Sequence, residues 1–393
     1  MDLSNGRPLR VLHVITKLTG GGAENFVCAL VPAFDPRVVQ AGLMSVYATE
    51  VPLDAEAQRR IPMIRIERQG RYDRGFLGRM IAGIRQFRPD IVHTHLHNGK
   101  YWGRLTAMLA RVPIVLFTEH NPCGEIRIVP EIAFDWVVNK LTDGIVTFAD
   151  QQRTLLARAE GLPVRKVIVI ENGITLPALP TPAARIEARR RLGVREDEFV
   201  VVVVARLVAR KNQRLAIETA AQLSAPWRGR MRFFFIGSGE DEQMLRELAI
   251  TQGVADRIAI LGNRDDAVEL IYGADVFYMP SLAEGMPLAI LEAMSVGLPI
   301  VSTPWIGVAE LLQHGQLGTI LADFEPRTSA AMLERIAENP EPFAEIASGA
   351  RDFVRHHHDI ARVARLHEQL YRELAIRRGT LDGEADALQA ATL

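Results

Sequence analysis

A chain of 393 residues, 48% apolar and 24% charged, is long enough for two buried cores and has ordinary soluble-protein composition. Its net charge of −1 implies no polyanion such as nucleic acid as a whole-chain partner. Cys28 and Cys123 make no disulfide framework, MDLSNGRPLR at the start lacks the apolar run of a secretory signal, and no uninterrupted apolar stretch is long enough to span a membrane, so a cytoplasmic location is expected.

The charge is uneven. Residues 1–175 hold 22 Lys and Arg against 17 Asp and Glu, and the remainder 24 against 30. A basic first half suits an anionic acceptor or an anionic membrane surface.

In chain order, Arg10 to Ile15 reads as a short apolar strand, followed by KLTGGGAE (17–24) and a helical run. Strand, Gly-rich turn and helix form the phosphate-approach geometry of doubly wound folds, although G-x-G-x-x-G is missing. Arg59 to Arg88 carries nine Arg with only Glu67 and Asp73 as acids. Within it Phe76, Leu77, Met80, Ile81, Ile84 and Phe87 recur at helical spacing. One face of that helix should pack on a sheet, and its arginines either stay solvated or meet anionic lipid headgroups on the inner face of the cell membrane. PDIVHTHLH (89–97) reads as a strand whose alternation puts His93, His95 and His97 on one face. PIVLFTEH (113–120) is a buried strand with Glu119 and His120 at its carboxyl end, where open α/β sheets bind ligands. A helix is expected at Trp136–Thr142, strands at Gly144–Thr147 and Lys166–Ile170, and a helix at Asp150–Ala159.

LPALPTPAA (176–184) reads as a stiff proline-rich linker and opens the second half. Phe199 to Ala205 is a β-branched strand, as expected when both sheet faces are covered. Arg206 and Lys211 stand at its exit, and two such cations can neutralise a diphosphate. Gly237 and Gly239 follow the strand at Arg232–Ile236, and Arg264 follows the strand at Ile258–Leu261. Tyr278 to Ser302 then reads as strand end, loop, helix of about eight residues and strand, with Glu284 on the loop and Glu292 on the helix. Free N–H groups around Met286, Leu288 and Ala289 at such a helix start suit an anion. A carboxylate behind that anion can hold a ribose, and one in front can hold a sugar. After Phe324 helices are expected at Thr328–Glu338, Phe343–Phe353 and Ile360–Arg378, with His356-His357-His358 in an exposed connection and a loose tail over 379–393.

The pair Glu284…Glu292 resembles the E-x7-E signature of retaining GT-B glycosyltransferases, most closely glycosyltransferase family 4. GGAE at 21–24, ARLVARKN at 205–212 and GSGE at 237–240 are similar to motifs of that family in the same order. Glu284-Gly285-Met286-Pro287 stands where the family usually has E-G-F-G. The resemblance implies two Rossmann-like domains facing a central cleft. These are an acceptor-side domain over 1–175 and a nucleotide-sugar domain over 176–359, with a helix at 360–378 crossing back to the first. It implies retaining transfer from a nucleoside diphosphate sugar to an acceptor hydroxyl, with no metal and no other cofactor. The acceptor would be a glycan or a lipid-linked molecule of the bacterial envelope. By the same resemblance Arg206 and Lys211 hold the diphosphate, Gly21 and Gly22 let backbone approach it, and Gly237, Gly239 and backbone near Arg264 lie by the nucleoside. Glu292 holds the ribose. Glu284, Gly285, Met286, Pro287, Leu288 and Ala289 surround the hexose and phosphate. His120 serves the sugar near the reacting carbon, while His95, His97 and Glu119 face the acceptor side. A non-catalytic nucleotide-sugar-binding scaffold of the same fold is the alternative. An NAD-dependent oxidoreductase is disfavoured by the missing glycine fingerprint and the lack of a ribose carboxylate about 20 residues after Gly22.

Overall fold

The computed structural model describes residues 7–18, 21–47, 53, 55–70, 72–120 and 138–381. Gly20, Cys123, the start of the helix expected from Trp136 and the tail beyond Leu381 lie outside the described residues. Contacts divide the chain into two compact units, Met1–Thr175 with Asp359–Leu393, and Leu176–His358. Each unit has a Rossmann-like parallel sheet. No helix among the described residues is long and apolar enough to cross a membrane.

The first sheet has seven parallel strands: β1 (Leu9–Ile15), β2 (Val39–Ser45), β3 (Met63–Arg65), β4 (Ile91–His95), β5 (Ile114–Thr118), β6 (Gly144–Thr147) and β7 (Val167–Val169). Their order is β3-β2-β1-β4-β5-β6-β7, so the direction of winding reverses between β1 and β4. Successive side chains of a strand face opposite sides. Leu12 and Val14 therefore join Met80 and Ile84 of the Phe76–Phe87 helix in one core. His13, between them in sequence, faces the other side, where its ring meets Phe34 and Tyr371. Tyr371 lies on the Ile360–Arg377 helix, which packs on the Gly22–Ala33 helix. That last helix is tied down by Ile360 N–H donating to Ile174 O at 2.9 Å and Asp35 N–H donating to Glu368 Oε1 at 2.8 Å. Leu381, just beyond it, is buried rather than loose.

The second sheet has six parallel strands: β8 (Phe199–Val204), β9 (Met231–Ile236), β10 (Ile258–Ile260), β11 (Val276–Met279), β12 (Ile300–Ser302) and β13 (Thr319–Ile320). Their order is β10-β9-β8-β11-β12-β13, reversing between β8 and β11. Val200 to Val203 are buried on both faces, each contributing roughly 1.5–3 kcal/mol relative to exposure. Val201, Val203, Phe233, Phe235, Val276 and Tyr278 fill the core beside the helices.

Four expectations change. The proline-rich 176–184 stretch is not all linker. Pro182 starts a helix through Leu192, because proline at the first position loses no intrahelical bond and Thr181 Oγ1 accepts the Ala184 N–H at 3.1 Å. β4 ends at His95: Leu96 turns left-handed (φ 58°), so His97 leaves the strand face and is exposed. Tyr101 to Ala110 reads in sequence as a helix, but the chain there begins as a π-helix, Gly99–Gly103, before Arg104–Leu109. His356 and His357 close the Glu341–His357 helix, and His358, just past it, is fully buried rather than exposed. β2 and β3 were not foreseen from sequence.

Candidate active site

Ligands of doubly wound sheets sit beyond the strand carboxyl ends at the point where winding reverses. In the second unit that point is the gap between the loops after β8 and β11. The two loops are joined by Leu282 N–H donating to Arg210 O at 2.9 Å and Asn212 Nδ2 donating to Pro280 O at 3.1 Å. Across the join Lys211 Nζ donates to Glu284 Oε1 and Oε2 at 2.6 and 2.7 Å. Ser281 Oγ adds a third bond to Glu284 Oε1 at 2.6 Å. The pair is largely sequestered, with side-chain exposures of 14% and 5%. Sequence reasoning assigned Lys211 and Glu284 to different parts of a ligand, and the fold makes them direct partners.

Arg206 stands at the end of β8, exposed, and no carboxylate engages its guanidinium among the described residues. Its loop rests on the glycine pair. Leu207 N–H donates to Ser238 O at 3.0 Å, and Asp241 N–H donates to Leu207 O at 3.0 Å. A Cβ on Gly237, whose φ is 141°, would lie 2.1 Å from Ala205 O, and one on Gly239 would lie 2.1 Å from Leu207 O. These glycines are demanded by the protein's own backbone. Gly237 N–H also donates to Gly262 O at 2.8 Å and Ser238 N–H to Asn263 Oδ1 at 3.0 Å, which brings the Arg264 loop alongside. The Arg264 side chain turns to Asp266 at 2.6 Å, leaving backbone as this loop's contribution.

Leu288–Ser295 forms the eight-residue helix, and Pro287 caps it in extended conformation. Gly285 and Met286 complete the approach, with Met286 buried. Leu288 and Ala289 begin the first turn, whose N–H groups have no intrahelical acceptor. Glu292 lies one turn in. No ion pair or side-chain hydrogen bond engages its carboxylate among the described residues, and burial pushes its pKa up to about 6.

In the first unit the winding reverses between β1 and β4, where His13 pairs in register with His93. Five imidazoles gather there. His13 Nδ1 is 3.0 Å from His95 Nε2, and His95 Nδ1 is 3.0 Å from His120 Nε2. His93 Nδ1 is 2.7 Å from Tyr371 Oη, and His93 Nε2 is 2.7 Å from Thr118 Oγ1. Tyr371 Oη reaches His13 Nε2 at 3.5 Å. His367 adds its ring beside His93 and Tyr371. Burial, followed by the neighbouring His367, lowers His13 and His120 to about 3. Burial and the adjacent imidazoles hold His93 and His95 well below the usual histidine range. The rings are therefore neutral at physiological pH. Ligating atoms of His13, His93 and His95 lie within 4.8 Å of one another. The hydrogen bonds above already engage those nitrogens.

His120 is only partly buried, so it is the member of this series that can meet a ligand. His95 is wholly buried and reaches one only through His120. His97 packs edge-on against Tyr101, and Glu119 lies 3.6 Å from Lys100. Gly21 precedes the Gly22–Ala33 helix in ordinary extended backbone, with the Glu24 carboxylate folded against it; Gly22 has open space. The Arg-rich segment is partly occupied: Arg79 pairs with Asp73 at 2.5 Å, and Arg68 stacks on Phe76. His13, His367 and Tyr371 escaped sequence reasoning. A single histidine inside the apolar run RVLHVI was the one available signal for the first.

Residues 20–176 match the model described as Glycosyltransferase Family 4, and residues 184–353 match that of Glycosyl transferases group 1. The chain belongs to glycosyltransferase family 4. The UDP-Gal:alpha-D-GlcNAc-diphosphoundecaprenol alpha-1,3-galactosyltransferase of Escherichia coli is 30% identical over 56% of this family 4 chain and 58% of its own length. The alpha-D-kanosaminyltransferase of Streptomyces kanamyceticus is 23% identical over 94% of this chain and all of its own. Anabaena HepE, solved in complex with UDP-glucose, superposes with a TM-score of 0.79 at 21% identity, covering 95% of this family 4 chain and 100% of HepE. That likeness shows the GT-B fold.

Proposed function

We propose that the chain is a retaining glycosyltransferase that moves a hexose from a nucleoside diphosphate sugar to an acceptor hydroxyl in bacterial glycan or glycolipid synthesis. One observation carries this reading: an unengaged Arg206, a Lys211–Glu284 pair and an unpartnered Glu292 all occur where the second sheet reverses. Arg206 offers a planar fork and Lys211 a point charge to the leaving diphosphate, which supplies electrostatic stabilisation without a metal. Glu292 accepts from the ribose hydroxyls. Glu284 and the backbone at Gly285 and Met286 face the hexose, and His120 serves the sugar being transferred. Retention is carried over from the family. The Escherichia coli relative is named for a UDP-sugar and a diphosphoundecaprenol acceptor, and HepE is described with UDP and glucose. A uridine diphosphate hexose and a lipid-linked acceptor are therefore the first pair to try.

The test is thermal stabilisation by UDP, GDP, ADP, dTDP and CDP, each with and without EDTA. A ligand at 100 times its Kd adds about 2.7 kcal/mol to the folded state. One responder, indifferent to EDTA, is expected. Silence from all five at millimolar concentration would sink the donor site.

Glu292 adds a pH signature. Its carboxyl in the free protein titrates at about 6, because burial disfavours the charge. Ribose hydroxyls donate to the ionised form and so lower that pKa on binding. Nucleotide affinity is therefore full at pH 7 and above and falls as pH drops through 6, by roughly fivefold from pH 7 to 5 for a one-unit shift and approaching tenfold only well below pH 5. Titration calorimetry across this range on wild type and Glu292→Gln separates the residue from the nucleotide's own phosphate. Identical pH dependence in both proteins would remove Glu292 from the ribose.

A further inference from the structure

The hydrogen bonds among the buried imidazoles run in one unbranched series, Thr118–His93–Tyr371–His13–His95–His120. Its longest step, 3.5 Å, lies between Tyr371 and His13. A neutral imidazole has one N–H donor and one acceptor nitrogen, so the series runs in one of two directions throughout, or else Tyr371 accepts from both His93 and His13 and its own fully buried proton is left without an acceptor, which is costly. In the first, His120 donates through Nε2, and the series ends with His93 donating to Thr118 Oγ1. The threonine proton then has nowhere to go, since His93 is the one partner of that hydroxyl among the described residues. Thr118 is fully buried, and a buried donor without an acceptor is costly.

In the second direction every donor is satisfied. Thr118 O–H donates to His93 Nε2, His93 Nδ1–H to Tyr371 Oη, and Tyr371 O–H to His13 Nε2. His13 Nδ1–H then donates to His95 Nε2, and His95 Nδ1–H to His120 Nε2. We infer that this relay holds the His120 proton on Nδ1, so that His120 presents a donor to the transferred sugar, with Thr118 and Tyr371 as positioning residues. The inference rests on the role proposed for His120. Burial supports it by keeping His13, His93, His95 and His120 uncharged, which preserves the direction of the series. It also gives the Ile360–Arg377 helix a part in the chemistry, since Tyr371 closes the series from that helix.

The tautomers can be read from two-bond nitrogen–proton correlations of imidazole-labelled protein without substrate. Wild-type His120 is expected to carry its proton on Nδ1. Tyr371→Phe removes the hydroxyl joining His93 to His13, so His120 should become a mixture of tautomers. Under the proposed reaction kcat should fall in proportion to the Nδ1-protonated fraction, about twofold for an equal mixture, at unchanged donor KM. Thr118→Val should mix the tautomers in the same way, and Thr118→Ser, which keeps the hydroxyl, should restore them. A wild-type His120 protonated on Nε2 overturns the inference. So do unaltered tautomers in folded Tyr371→Phe and Thr118→Val, or unchanged kcat alongside mixed tautomers. One tightly bound metal ion per chain, lost in His13→Asn, overturns it too, because ring nitrogens would then be bonded to the ion. Absence of turnover with every donor would sink the transferase reading, while the tautomers would still decide the relay.

Discussion

Lys211→Ala is expected to lower kcat by roughly 100- to 1,000-fold, the usual cost of removing one preorganised charge from a developing anion. In the free protein this ammonium is held by both oxygens of Glu284 at 2.6 and 2.7 Å. In the proposed role it is thus aimed before a diphosphate arrives, and it need not be ordered during the reaction. The substitution has a second effect that must be separated from the first. Glu284 is nearly buried, and the substitution takes away the cation paired with it, while Ser281 Oγ still donates to its carboxylate. Breaking a buried pair in this way costs about 3–5 kcal/mol. Lys211→Ala combined with Glu284→Gln removes the stranded charge and should recover much of the stability without recovering turnover. Thermal melts and single-turnover rates on the single and double variants test this. Recovery of kcat in the double variant would mean that Lys211 serves only to neutralise Glu284.

Gly237→Ala should destabilise the second unit by roughly 3 kcal/mol or more, with the strained backbone and the crowding both contributing. The new methyl would meet a carbonyl oxygen at 2.1 Å, and that oxygen belongs to Ala205, next to Arg206. Backbone cannot step aside as a flexible side chain can. Gly253→Ala is the control. Its φ is 69° and its Cβ would meet nothing within 4 Å, so it isolates the conformational cost alone, about 1 kcal/mol. Urea unfolding of the two variants measures the difference. Equal losses would mean that the loop at Ala205 yields without cost.

Much of this arrangement was legible in the chain because it rests on local patterns. The β-branched run at 199–204 could only be an interior strand, and the charges after it could only lie at that strand's exit. Glu284 and Glu292 were separable into loop and helix because eight residues of helix fit between Pro287 and Val296. What escaped depended on contacts distant in sequence. Lys211 and Glu284 are 73 positions apart, and nothing local announces that their loops are joined. His13 and Tyr371 are 358 apart. His97 was misplaced for a local reason, since alternation assumes that a strand continues and Leu96 ends it with a left-handed turn. β2 lacks the unbroken apolar pattern of its neighbours, with Gln40 exposed within it, and β3 has only three residues.

The discontinuity of the first unit bears on how the chain is made. A ribosome delivers residues in order, and Asp359–Leu393 comes last. All seven strands of the first sheet have emerged long before Tyr371 can cover His13 and His93. During synthesis of the entire second unit, that face of the nascent sheet waits without its last helix, its polar interior open to water. The first unit to be translated is therefore the last to be finished. A premature stop after His358 spares Arg206, Lys211, Glu284 and Glu292 and still leaves the first unit incomplete.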